Sequence, residues 1–262
     1  MHIATKDAGI ANRMKAMASC MRLNPEDHRM HWTPTMKIFL DKRGRTPHRP
    51  DSKFSDFFVY PLEIEGPFPK SAVLYDSWRL AVFESDNIPD GFSFLSDKKG
   101  DKRKRNIDLE YNRIPLEVKS VYVDIFQKFI LKDRLYKIIK RFSKKHFDSN
   151  TVSVHMRTWY DVAGTSRRKG FSLDKFVDRM KEFDISTNFF VASDSLEAIA
   201  KLKDVFGDRV VSYSNNKSRT VEDDIIDLYL LSKGKVILGT YMSTFTEVAW
   251  WLSGCNPHIH IL

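Results

Sequence analysis

Cysteine is almost missing from this chain: Cys20 and Cys255 are the two thiols in 262 residues. There is no CxxC pair and no His/Cys cluster, which excludes a disulfide framework and a structural zinc site and leaves two free thiols suited to a reducing compartment. No apolar run approaches the roughly 20 residues needed to span a bilayer. Nor does a leader-like segment precede the first apolar strand. Both observations lead us to expect a cytoplasmic protein, of a bacterium or of a virus in its host, with no membrane span. Two nucleotide loops are also missing. Neither GxGxxG nor GxxxxGK(S/T) occurs, so dinucleotide and P-loop readings are weak. No Asp-x-Asp follows a strand, which removes the usual carboxylate pair for a metal-bound nucleotide sugar. Glu222-Asp223-Asp224 is the nearest acidic group, and it opens a helix whose dipole it suits. We therefore expect no metal and no cofactor.

Positive charge is abundant. The formal net charge is +9, concentrated in Lys98-Lys99, Lys102-Arg103-Lys104-Arg105, Lys140-Arg141 and Lys144-Lys145. Such an excess suits an anionic partner. These runs are not interleaved with aromatics and carry no reading motif, so nucleic acid is not the expected partner. A basic binding module for nucleic acid or an anionic glycan, using residues 98–105 and 140–145, is the non-enzymatic alternative. Hydrophobic content of 42%, with 13% aromatic, is ample for a packed core.

Along the chain, His2–Thr5 reads as a strand and the turn Asp7-Ala8-Gly9 leads into an amphipathic helix that ends before Asn24-Pro25. His28–Trp32 reads as a second strand. Residues 41–53 form a long loop rich in Arg, Pro and Gly, and 62–105 contains short strands such as Ala72–Tyr75 between Pro and Asp breaks. Two helices fill 116–147. The second half alternates regularly: strand 152–156, helix 172–182, strand 188–192, helix 195–206, strand 209–212, helix 220–232, strand 236–239, helix 244–252 and strand 259–261. This alternation predicts an α/β fold with a doubly wound parallel sheet. The bridging helices place a boundary between residues 1–130 and 131–262.

Three strand ends in the second half carry chemistry. Strand 152–156 delivers His155 and Arg157, which the period of two places on one side, outside the strand's carboxyl end where ligands of open α/β sheets bind. Arg157 there either forks onto a phosphate or makes a structural salt bridge. Ser193-Asp194-Ser195 follows the next apolar strand, and either residue after Ser193 also fits a simple helix cap. Gly239-Thr240-Tyr241-Met242-Ser243-Thr244-Phe245-Thr246 leads from a strand into a helix, joining hydroxyls to a helix N-terminus, which is an anion site. At the front, Gly9, Asn12 and Arg13 lie at a loop-to-helix junction facing the first strand's end.

Together these segments resemble the fucosyltransferase superfamily, which includes α1,6-fucosyltransferases, nodulation fucosyltransferases and protein O-fucosyltransferases. The resemblance rests on His155-x-Arg157, Val191-Ala192-Ser193-Asp194, and Asp227–Ser232 continuing through Gly239-Thr240 to Ser243-Thr244-Phe245. Gly9-x-x-Asn12-Arg13 and His31-Trp32-x-Pro34 add to it at the front, with Ala11 where a second glycine is common. It covers about residues 1–60 and 150–255. The resemblance implies a GT-B-like fold of two facing Rossmann-like domains: an acceptor-side N-terminal one and a C-terminal one that binds the nucleotide sugar. It implies inverting, metal-independent transfer of a sugar, L-fucose from GDP-fucose being the best match, to a glycan or glycoprotein acceptor. By the same resemblance Arg157 and Asn12 are catalytic, Arg157 holding the β-phosphate. Gly9, Arg13, His155, Asp194, Ser243, Thr244 and Phe245 bind the donor, with His155 on the nucleotide and Asp194 on base or ribose. Asp7, Asp161 or the leaving phosphate would take the acceptor's proton. A different donor, a UDP- or GDP-linked pentose or rhamnose, fits the same fold.

Overall fold

The computed structural model describes residues 1–5, 9–32, 53–59, 69–75, 80, 116–158, 171–213, 220–241 and 243–262. Asp7, Asp161, the basic run 98–105 and nearly all of the loop 41–53 lie outside them.

Two parallel sheets organise the chain. In the first, β1 (His2–Ala4) is central, flanked by β2 (His28–Met30) and β3 (Val73–Tyr75), and α1 (Ile10–Leu23) makes the β1–β2 crossover. Helices α2 (Leu116–Gln127) and α3 (Asp133–His146) follow. The second sheet is built from β4 (Val152–Met156), β5 (Phe189–Ser193), β6 (Val210–Val211), β7 (Val236–Gly239) and β8 (His258–Ile261), in the order β6-β5-β4-β7-β8. Its crossovers are α4 (Leu173–Lys181), α5 (Leu196–Phe206), α6 (Val221–Leu231) and α7 (Thr244–Leu252).

The alternation of the second half is as expected, with ends moved by a residue or two. The strand expected over 209–212 shrinks to two residues because Gly207–Arg209 forms a 3-10 turn, entered through Gly207 at φ +60. The strand expected to reach Trp32 stops at Met30, and Trp32 turns into the core.

Helices cover both faces of the second sheet. Val152, Val154, Met156, Phe189, Val191 and Leu238 pack with α4 and α5. Phe190, Ala192 and Ile237 face the other way, into a larger core shared with α1, α2, α3, α6 and α7. One correction concerns α1. An amphipathic helix would show a polar face to water, yet every residue from Ile10 to Arg22 except the half-buried Asn12 is buried. The reason is its position: α1 is covered by its own sheet on one side and by α2 and α7 on others. Its polar residues are accommodated inside. Arg13 lies over the Trp32 ring at 4.7 Å, Arg22 over Tyr122 at 5.1 Å, and the Ser19 hydroxyl donates to the Lys15 carbonyl at 3.0 Å. Trp250 and Trp251 of α7 are fully buried, with Trp251 stacked on Phe126 of α2 at 5.9 Å and 7°.

Candidate functional site

The order β6-β5-β4-β7-β8 reverses direction between β4 and β7. At such a point the loops leaving neighbouring strands diverge, and a crevice opens at the carboxyl ends. Register decides what lines it. His155 pairs with Ala192 on one side and Gly239 on the other, and Met156 pairs with Ser193. The next residues, Arg157 and Asp194, are therefore level with each other as the chain leaves the sheet.

They meet directly. Arg157 Nη1 donates to Asp194 Oδ2 at 2.5 Å, with side-chain exposures of 17% and 13%, so the pair sits at a mouth and not in the interior. Asp194 Oδ1 accepts from the Thr158 backbone N–H at 2.7 Å, so each of its oxygens is engaged by the end of β4. The Arg157 backbone N–H donates to Thr240 Oγ1 at 2.8 Å, and Ser193 Oγ donates to the Met156 carbonyl at 2.8 Å. The strand-end arginine is thus fastened by side chains from β5 and from the β7–α7 connection. Capping falls to Ser195, which accepts from Ala198 N–H at 3.2 Å.

His155 is buried. Its Nδ1 hydrogen-bonds Thr246 Oγ1 at 2.8 Å, and its ring stacks on Phe245 with centroids 4.9 Å apart at 27°. Both contacts tie β4 to the first turns of α7. Gly239 permits this closeness: a Cβ there would lie 2.3 Å from Thr246 Cγ2 and 2.7 Å from its Oγ1. Ser243 is the N-cap residue of α7 but makes no side-chain cap hydrogen bond. By contrast, α5 is capped by Ser195 and α6 by a Thr220–Asp223 capping box.

The fold compares with solved structures over nearly its whole length. Fucosyltransferase NodZ from Bradyrhizobium matches with a TM-score of 0.53 at 15% identity, covering 95% of this chain and 91% of that one. A FUT1 variant of Arabidopsis thaliana in complex with GDP gives 0.57 at 12% identity, over 99% and 69%. POFUT1 in its apo form gives 0.52 at 11%, over 100% and 97%. This chain has the GT-B fold of the fucosyltransferases. No family model and no curated protein matches the sequence.

On that fold the expected residues divide into two groups. Arg157, Asp194, Ser243, Thr244 and Phe245 gather around the carboxyl ends of β4, β5 and β7, with His155 directly beneath. Gly9 and Asn12 occupy the N-terminus of α1. Among the described residues a Cβ at Gly9 would meet nothing within 4 Å, and Asn12 Oδ1 is enclosed without a hydrogen-bond partner. Arg13 departs from the expectation of an arginine offered at a helix's first turn. It is 1% exposed, and its guanidinium is used in the core against Trp32.

One constellation was not anticipated. Lys15 Nζ and Glu247 Oε2 form an ion pair at 2.6 Å, both side chains wholly buried, and Trp251 Nε1 approaches Glu247 Oε1 at 3.5 Å. Asn12 and Lys15 share a face of α1, as Ser243 and Glu247 share a face of α7. The pair therefore lies within about one 5.4 Å turn of each helix's candidate residues. Its partners stand 232 residues apart, so no local pattern signals it. Thr246, the partner of His155, was visible as part of the hydroxyl run. Among the described residues no group of three or more His, Cys, Asp or Glu could hold a metal ion, and no helix is long and apolar enough to cross a membrane.

Proposed function

We propose that this chain transfers a sugar from a guanosine-diphosphate donor, L-fucose being the best candidate, to a glycan or glycoconjugate acceptor, with inversion and without a metal. The observation that carries the reading is Arg157, fixed by Asp194 at the switch point beside the N-terminus of α7, which lacks a side-chain cap. The fold comparison supports the donor class: NodZ was soaked with GDP-fucose and co-crystallized with GDP, and the FUT1 variant was solved with GDP.

In this reading the acceptor oxygen attacks the anomeric carbon from the face opposite the diphosphate. The bond from that carbon to the β-phosphate oxygen breaks, and GDP leaves with the bonding pair. Charge grows on the β-phosphate, where Arg157 supplies a forked cation and the first N–H groups of α7 supply donors and the positive end of the helix dipole. The proton of the acceptor hydroxyl passes to a base, either Asp7 or Asp161 or an oxygen of the leaving phosphate. Gly9, with open space where a side chain would stand, and Asn12 close the donor or acceptor side from α1. His155 acts by holding the α7 N-terminus through Thr246 and Phe245.

Titration calorimetry with EDTA present tests this. GDP should bind wild-type protein and UDP should bind more weakly. Arg157→Ala should weaken GDP binding by roughly tenfold to a hundredfold, the loss of one charge-assisted hydrogen-bonding group. A preference for UDP would keep the transferase and remove the fucose assignment. Binding of neither nucleotide would remove both.

A further inference from the structure

The exposed side of α3 carries a second surface of defined chemistry. On a helix of 3.6 residues per turn, Leu135, Ile139 and Phe142 form the stripe that packs inward, where Phe142 meets Phe190 at 5.9 Å and Tyr213 at 5.5 Å. Opposite that stripe lie Lys137, Lys140, Arg141, Lys144 and Lys145, all exposed and spanning about 12 Å of helix. Acidic compensation is slight. Lys137 pairs with Asp133 at 2.5 Å, an exposed contact. Lys140 lies 5.8 Å from the centre of the Tyr136 ring. Arg141, Lys144 and Lys145 have no acidic partner among the described residues. Asp148, the next acid along the chain, is taken up by Asn150, Thr151 and Asn188.

We propose that this stripe docks the protein on an anionic lipid surface. Five cations on one face of an amphipathic helix form the kind of cluster that recognises acidic headgroups, each adding to the attraction near the surface. Lysine and arginine stems are long enough to lie along the helix and present their charges to a plane. A single-stranded nucleic acid would ask for a groove and stacking rings, whereas this face is the convex side of one helix with one ring at its margin. The stripe points away from the core that α3 shares with β5. The surface is independent of the nucleotide chemistry proposed above.

Co-sedimentation with vesicles tests it, using phosphatidylcholine alone and phosphatidylcholine with 30% phosphatidylserine as an order-of-magnitude choice of surface charge. Wild-type protein should bind the acidic vesicles only, and lose binding as salt rises from about 0.1 to 0.5 M. The triple variant K140Q/R141Q/K144Q should bind roughly a hundredfold more weakly, taking each cation as about fivefold, with an unchanged melting temperature showing that it folds. Equal binding by variant and wild type overturns the proposal. So does wild-type protein that ignores acidic vesicles, including the case where it instead binds heparin or a single-stranded oligonucleotide and the variant does not, which would assign the stripe to a soluble polyanion.

Discussion

Arg157 and Asp194 meet because two parallel strands end level with each other, so the Asp194 carboxylate orients the Arg157 guanidinium. Each of its oxygens accepts from the end of β4. Asp194→Asn should weaken GDP and inorganic pyrophosphate binding alike, by roughly tenfold, because the charge that orients the guanidinium is gone. A variant that loses GDP but keeps pyrophosphate would return Asp194 to the nucleoside. Two glycines separate packing from function in a similar way. Gly239→Ala should cost about 1–3 kcal/mol in urea denaturation, since its Cβ would overlap Thr246. Gly9→Ala should change stability by less than about 0.5 kcal/mol, no described residue standing within 4 Å of its Cβ and its extended backbone being one that any residue adopts. If GDP binding falls in Gly9→Ala with stability intact, that space belongs to a ligand.

At the scale of elements, α1 and α7 are joined by an ion pair with no access to water. Lys15→Met alone should destabilise by about 3–5 kcal/mol, because it strands the Glu247 carboxylate in the core. The double variant Lys15→Met/Glu247→Leu should recover most of that loss, as buried pairs replaced by apolar residues are often near neutral. Denaturant midpoints of the two variants check this, and GDP affinity of the double variant reads whether the pair also sets the two helix ends. The same region shows where periodicity stops being informative. β7 and α7 were legible to the residue, because Gly239 and Ser243 punctuate an apolar strand and an apolar helix. His155, Arg157 and Asp194 were legible as a group because they end strands. The burial of Arg13, Lys15, Ser19 and Arg22 was not, since a polar residue at helical spacing looks the same whether its partner is water or a side chain folded in from far along the chain. The contact of Asp194 with Arg157 was hidden for a related reason: it depends on the register of β4 against β5, which no local pattern encodes.

Across the whole molecule, the two thiols report on integrity. Cys20 in α1 and Cys255 after α7 are both buried, and burial pushes the Cys20 thiol up to about 12 and raises that of Cys255 as well. Thiolate is the reactive form, so at pH 8 native protein should leave a disulfide reagent such as Ellman's untouched. Unfolding in guanidinium should release both thiols together, because the residues lie in one continuous core. Release of one thiol before the other would divide that core into separately opening parts.

The reach of the Lys15–Glu247 pair also bears on how the protein is made. On a ribosome, α1 emerges more than two hundred residues before the carboxylate that neutralises its lysine and the tryptophans that cover it. At about 5–20 residues per second, that helix waits on the order of ten seconds or more with its apolar surface unsatisfied. Docking of α1 on α7 is therefore a closing step that is long in sequence and slow to nucleate. Truncation before α7 leaves the opening helix without the face it packs against.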